Sequence, residues 1–143
     1  MDSEFILQRV EGFDSDIVVL YEQLKSRQFS ISHRTIPSYE DHCEFVRHNP
    51  YRAWFLVLRK GVAVGNIYVQ YDNSVGLNGL DALRAGELGA IIRALYDSVK
   101  PLPAISSLRF GDFIFNVAAE NETLQKKLEV LHWRVKQVTF ARS

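Results

Sequence analysis

Cysteine is nearly missing from this sequence: Cys43 stands alone. One thiol excludes an intrachain disulfide framework and any cysteine-cluster zinc site, and it fits a reducing compartment. A charge excess of either sign is missing too, because 17 basic and 17 acidic side chains give a formal net charge of +0. That excludes the global basic surplus of a nucleic-acid coat or a polybasic membrane binder, so neither nucleic acid nor membrane is an expected partner. No apolar run approaches the ~20 residues of a membrane span. The opening Met1-Asp2-Ser3-Glu4 is acidic and no apolar stretch follows it, so no signal peptide is expected and a cytoplasmic, soluble protein is the default. Four scattered histidines, His33, His42, His48 and His132, show no metal-ligand spacing, and no metal is expected. There is no repeat, low-complexity tract or linker. What remains is 143 residues that are 47% hydrophobic, enough to fill the core of one domain spanning residues 1–143.

The apolar pattern alternates between two periods. Glu4 to Val10 reads as a short strand. Asp14 and Ser15 offer N-caps to a helix in which Ile17, Leu20, Tyr21 and Leu24 form one stripe, ending near Arg27. Gln28 to Pro37 reads as a loop. Ser38-Tyr39-Glu40-Asp41 matches a capping box, and Tyr39, His42, Cys43 and Val46 then share a helical face up to the stop at Asn49-Pro50. Ala53 to Leu58 reads as a buried strand, Lys60-Gly61 as a turn and Val62 to Tyr71 as the partner of a hairpin. After the turn at Asp72-Asn73-Ser74, Val75 to Leu77 opens a further strand. Leu88, Ile91, Ile92, Leu95 and Val99 stripe a helix that Pro101 and Pro103 end. Phe110 to Val117 reads as a strand, Asn121 caps a helix carrying Leu124, Leu128 and Leu131, and Trp133 to Phe140 reads as a closing strand. The order β-α-α-β-β-β-α-β-α-β predicts an α/β fold with a mixed central sheet.

That order resembles the GNAT N-acetyltransferase superfamily. Tyr51-Arg52-Ala53-Trp54-Phe55, then Gly61, then Val64-Gly65-Asn66-Ile67-Tyr68-Val69 look like the family's second and third strands. Asn116 through Asn121 and Glu122, followed by an amphipathic helix and Leu131-His132-Trp133, looks like its ending. Ile31-Ser32-His33-Arg34 through Phe45-Val46 resembles the acceptor region of small bacterial members that acetylate amino sugars or related amines. The resemblance covers nearly the whole chain. It implies acetyl-CoA as co-substrate, whose diphosphate is held by backbone N–H groups at a helix N-terminus.

The family pattern for that turn is Q/R-x-x-G-x-G/A, and the matching window is Arg84-Ala85-Gly86-Glu87-Leu88-Gly89-Ala90. With Leu77 on the preceding strand and Asn116 and Asn121 beyond, Arg84, Gly86, Glu87, Leu88, Gly89 and Ala90 are the cofactor-binding residues the resemblance implies. Glu87 stands where the family has its central glycine. A carboxylate aimed into the loop would repel phosphates by about 4 kcal/mol at ~4 Å and an effective dielectric near 20; aimed outward, it is an acid in a helix first turn, where the macrodipole favours it. Leu128 falls where family members place a tyrosine general acid, and His132 where they place a glycine.

Acyl transfer to an amine needs a neutral nucleophile, a polarised thioester and a proton acceptor. His33 lies in the loop expected to face the acceptor and is the candidate base, its alternative being a loop histidine bonded to backbone. Arg34 is a candidate for binding an acceptor phosphate or carboxylate, or a solvated arginine. Cys43 reads as a small buried residue, Tyr68 and Trp54 as packing residues, and Asp112 as a turn acid or an acceptor-site acid. Three functions follow from different classes: an acetyltransferase acting on a small amine such as an amino sugar, a lapsed GNAT-like binding or scaffolding module, and an interaction domain of unrelated fold. A homodimer stays open. The first two require Val75 to Leu77 and Phe110 to Val117 to be parallel neighbours that splay apart.

Overall fold

The computed structural model describes residues 4–26 and 36–142. The elements run β1 (Phe5–Arg9), α1 (Asp14–Ser26), α2 (Tyr39–Arg47), β2 (Ala53–Arg59), β3 (Val62–Val69), β4 (Ser74–Asn78), α3 (Ala85–Ser98), β5 (Ile114–Asn116) and α4 (Glu122–Val130). They form a single mixed sheet in the order β1-β2-β3-β4-β5. The first three pairings are antiparallel, and β4 runs parallel to β5. A parallel pair needs a crossover, and α3 supplies it.

Helices cover both faces of the sheet, which explains why β2 is almost continuously apolar. Phe55 and Val57 point into the larger core with Ile67, Val75, Leu88, Ile91, Leu95 and Leu124. Trp54 and Leu56, alternating with them, point to the other face and pack with Ile17, Leu20 and Val46 of α1 and α2. Two of the caps read in the sequence are made: Ser38 Oγ accepts from Asp41 N at 3.2 Å, and Asn121 Oδ1 from Leu124 N at 3.2 Å. Asp14 and Ser15, read as caps of the first helix, lie inside α1 instead, which begins at Asp14.

Two expected strands change. The stretch from Phe110 to Val117 pairs only at Ile114–Asn116, because Gly111 and Asp112 form a bend; there the Asp112 carboxylate accepts from Phe113 N and from the Tyr96 hydroxyl. The closing strand from Trp133 to Phe140 does not form. Val135 and Val138 are three residues apart, so a strand would send them to opposite faces and neither face would be consistently apolar. Val135, Val138 and Phe140 are all exposed, Phe140 at 92%. Only Trp133 returns to the sheet, its ring edge-on to Phe115 with centroids 4.5 Å apart. The fold class is as expected; among the described residues the last strand is not formed.

The turn after α4 is made without glycine. His132 itself takes the left-handed conformation at φ 71, while His132 N donates to Glu129 O and Trp133 N to Leu128 O, each at 2.9 Å. A β-carbon is disfavoured there. His132→Gly is therefore expected to stabilise the fold by about 0.5–1 kcal/mol, read as a higher urea midpoint; a lower midpoint would show that the imidazole contributes more than its backbone strain removes.

Candidate active site

Pairing between β4 and β5 stops at Gly76↔Asn116. Beyond it β4 continues to Asn78 against β3 alone, and Val117 and Ala118 leave the sheet. The two strands thus part at their carboxyl ends, the usual place for a ligand crevice in a sheet with a parallel crossover. A cavity of about 340 Å³ begins in that opening, between Leu77–Gly79 on one side and Asn116–Ala118 on the other. It runs across the sheet to α1 and α2, reaching Gln23, Asp41 and His42.

Glycine makes room for its wall. A β-carbon on Gly76 would lie 2.1 Å from Cζ of Tyr68, so the tyrosine ring lies directly over bare backbone. That ring stacks on Tyr51, with centroids 4.4 Å apart and planes 11° from parallel. Tyr51 meets Trp54 nearly at right angles, at 5.0 Å and 84°. Phe45 closes the group, at 81° to Tyr51 and 76° to Trp54. All four rings line the cavity.

The polar part of the wall is a chain of amides. Asn66, only 5% exposed, accepts from Trp54 Nε1 at 3.0 Å and from Asn78 Nδ2 at 3.1 Å. Its own Nδ2 donates to Gln23 Oε1 at 2.7 Å, and Gln23 Nε2 donates to the Gly65 carbonyl at 3.3 Å. Such a network fixes side chains on β2, β3, β4 and α1 relative to one another. Its signal in the sequence is an asparagine inside the apolar run Val64 to Val69.

His42 Nε2 lies 3.0 Å from the Ile17 carbonyl. A carbonyl only accepts, so that nitrogen carries the proton. Burial pulls the imidazole below its ordinary pKa, opposed by the Ile17 bond, so the ring is neutral at pH 7 with Nδ1 unprotonated. His42 is among the residues that line the cavity, and Nδ1 is the ring nitrogen left to accept a proton. The sequence places His42 only on an apolar helix face. His33 and Arg34, the candidate base and acceptor-binding residues, lie outside the described residues.

The cofactor candidates divide between two places. Leu77, Asn116 and Asn121 line the cavity. Asn121 also bonds the Asp81 carboxylate at 2.6 Å, joining α4 to the segment before α3. Arg84 through Ala90 form the start of α3 and are not part of that wall. Gly86 faces open space. Leu88 is buried in the larger core, and a β-carbon on Gly89 would press on Leu131 at 3.1 Å, so Gly89 lets α3 approach the end of α4.

Glu87 turns back on its own helix. Its carboxylate accepts from Arg84 N at 2.9 Å, meets Arg84 Nε at 3.4 Å and pairs with Arg59 of β2. The Arg84 N–H first, then the Arg84 and Arg59 guanidinium groups, hold the carboxyl below its ordinary range. Leu128, where the resemblance would place a proton donor, is buried in the core at 7% exposure. Among the described residues no three His, Cys, Asp or Glu side chains come together as a metal site, and no helix is long and apolar enough to cross a membrane.

No protein-family model and no curated protein matches this chain. A solved structure does: the crystal structure of a possible acetyltransferase from Clostridium difficile 630, at 10% identity, covering 97% of this chain and 95% of that one with a TM-score of 0.55. An identity that low carries the architecture alone, and the architecture is an acetyltransferase-like α/β fold.

Proposed function

We propose that this protein is an acyl-CoA-dependent N-acetyltransferase that moves an acetyl group onto a small amine, amino sugars included. The observation that carries the reading is the parting of β4 and β5 at Gly76 and Asn116, with the cavity running from that opening to α1 and α2. A thioester entering from one side and an amine from the other would meet over Leu77. Acetyl-CoA supplies the activated acyl group: the amine nitrogen bonds to the carbonyl carbon, the carbon–sulfur bond breaks, the amine gives up a proton and the thiolate takes one up. Neutral His42 supplies an acceptor for the first proton. Leu128 supplies no donor for the second, which then comes from solvent.

The same Leu128 favours a second reading, a module that keeps the fold and the crevice without catalysis. Calorimetry with acetyl-CoA and free CoA separates the readings. Wild type is expected to bind acetyl-CoA, and Glu87→Gly to change the affinity within a few fold, because the native carboxylate is already neutralised by Arg84 and Arg59. Thiol release with an amine present marks the active enzyme. Weak wild-type binding that rises sharply in Glu87→Gly, and less so at high salt, marks the lapsed module. Folded protein of both forms that binds no acetyl-CoA at low salt overturns both.

A further inference from the structure

The aromatic wall of the cavity has a definite chemistry. Phe45, Tyr51, Trp54 and Tyr68 form it, with Tyr51 near perpendicular to Phe45 and Trp54 and parallel to Tyr68. Aromatic rings on a cavity wall attract a cation through the negative π-density of their faces. Asp41 is the charged residue among the described ones of the wall, and no described lysine or arginine lies there. His42 beside it is neutral at pH 7, so it adds no opposing positive charge.

From this juxtaposition of four aromatic rings and one carboxylate, we propose that the acceptor binds as an ammonium cation on an otherwise uncharged, partly apolar body, and that phosphorylated or carboxylated amines are disfavoured. Calling this ligand the acceptor rests on the acetyltransferase reading; the binding itself does not. An anionic group would share the cavity with the Asp41 carboxylate and the electron-rich rings that line it. A neutral analogue would gain the apolar contacts alone. The amine must lose its proton before attack, and the His42 acceptor stands on the same wall.

The test is calorimetry at pH 7 without CoA, with three probes of nearly the same shape: phenethylamine (a cation), 2-phenylethanol (neutral) and 3-phenylpropionate (an anion), together with glucosamine 6-phosphate. Phenethylamine is expected to bind about tenfold more tightly than 2-phenylethanol, and 3-phenylpropionate more weakly than either. Asp41→Asn, a change at an exposed position, should lower phenethylamine affinity several fold and leave 2-phenylethanol unchanged. Tyr51→Leu should narrow the gap between cation and alcohol. Equal binding of cation and alcohol, tighter binding of glucosamine 6-phosphate, or no phenethylamine binding by folded protein would each overturn the proposal. Acetyl-CoA binding is scored separately: its presence without cation preference removes this inference and keeps the transferase, and cation preference without acetyl-CoA binding does the reverse.

Discussion

Asn73→Ala is expected to cost about 4 kcal/mol of folding stability, a large share of the 5–15 kcal/mol typical of a domain. Asn73 is wholly buried and sits at φ 70 in the turn between β3 and β4. Its Nδ2 donates to the carbonyls of Leu102 and Phe110 at 2.8 and 2.7 Å, and its Oδ1 accepts from Leu102 N at 2.8 Å. Its own carbonyl accepts from Ile114 N at 3.0 Å, at the start of β5. One side chain thus fastens both ends of the long connection from α3 to β5. Truncation leaves three part-buried backbone groups without their partner, at no more than roughly 1–3 kcal/mol each, and forces alanine into a backbone region it disfavours. Asn73→Gly removes the second cost and keeps the first, so it should recover only about 1 kcal/mol. Chemical denaturation of the three proteins checks this. A glycine variant as stable as wild type would mean that the backbone angle, and not the amide, is what matters.

Gly76→Ala is expected to close the cavity wall and destabilise the fold together. The new methyl would sit 2.1 Å from Tyr68 Cζ and 2.2 Å from Cε1, and the ring cannot swing aside without leaving its stack on Tyr51. Overpacking of this kind costs about 1–3 kcal/mol. The informative partner is Tyr68→Leu, which removes the obstructing ring. The double variant should be more stable than Gly76→Ala alone, with a coupling of at least about 1 kcal/mol, yet its cavity should have lost one aromatic face. Additive costs would show that the strand, and not the tyrosine, yields to the methyl group.

The layout of the fold was legible because its signals are local. The Ser38 and Asn121 caps, the stripe on α3 and the apolar run of β2 each report a periodicity or a cap in adjacent residues. The parallel pairing of β4 and β5 is what the family resemblance implied, and the helix between them allowed it. The failed closing strand shows the limit: alternation between Trp133 and Val135 looks like a strand until Val138 breaks the phase, and only the assembled sheet shows that nothing pairs with it. The candidate site was less legible, because it is built by contacts distant in sequence. Asn66 meets Gln23 across 43 positions, and Glu87 meets Arg59 across 28. The direction of the Glu87 carboxylate, left open by its sequence position alone, depends on that distant arginine. Asn73 reads as an ordinary turn residue until the partners of its amide are known.

The two tryptophans fall on opposite faces of the sheet. Trp54 packs with α1 and α2 and its indole N–H belongs to the amide chain of the cavity, whereas Trp133 packs against the larger core through Phe115. Since these are the chain's only tryptophans, its intrinsic fluorescence is a sum of two spatially separate reporters. Phenylalanine at position 133 leaves an emitter on the cavity wall, and phenylalanine at position 54 leaves one beside α4. The protein therefore carries its own optical means of telling events at the crevice from loosening of the opposite helical layer, with no dye attached.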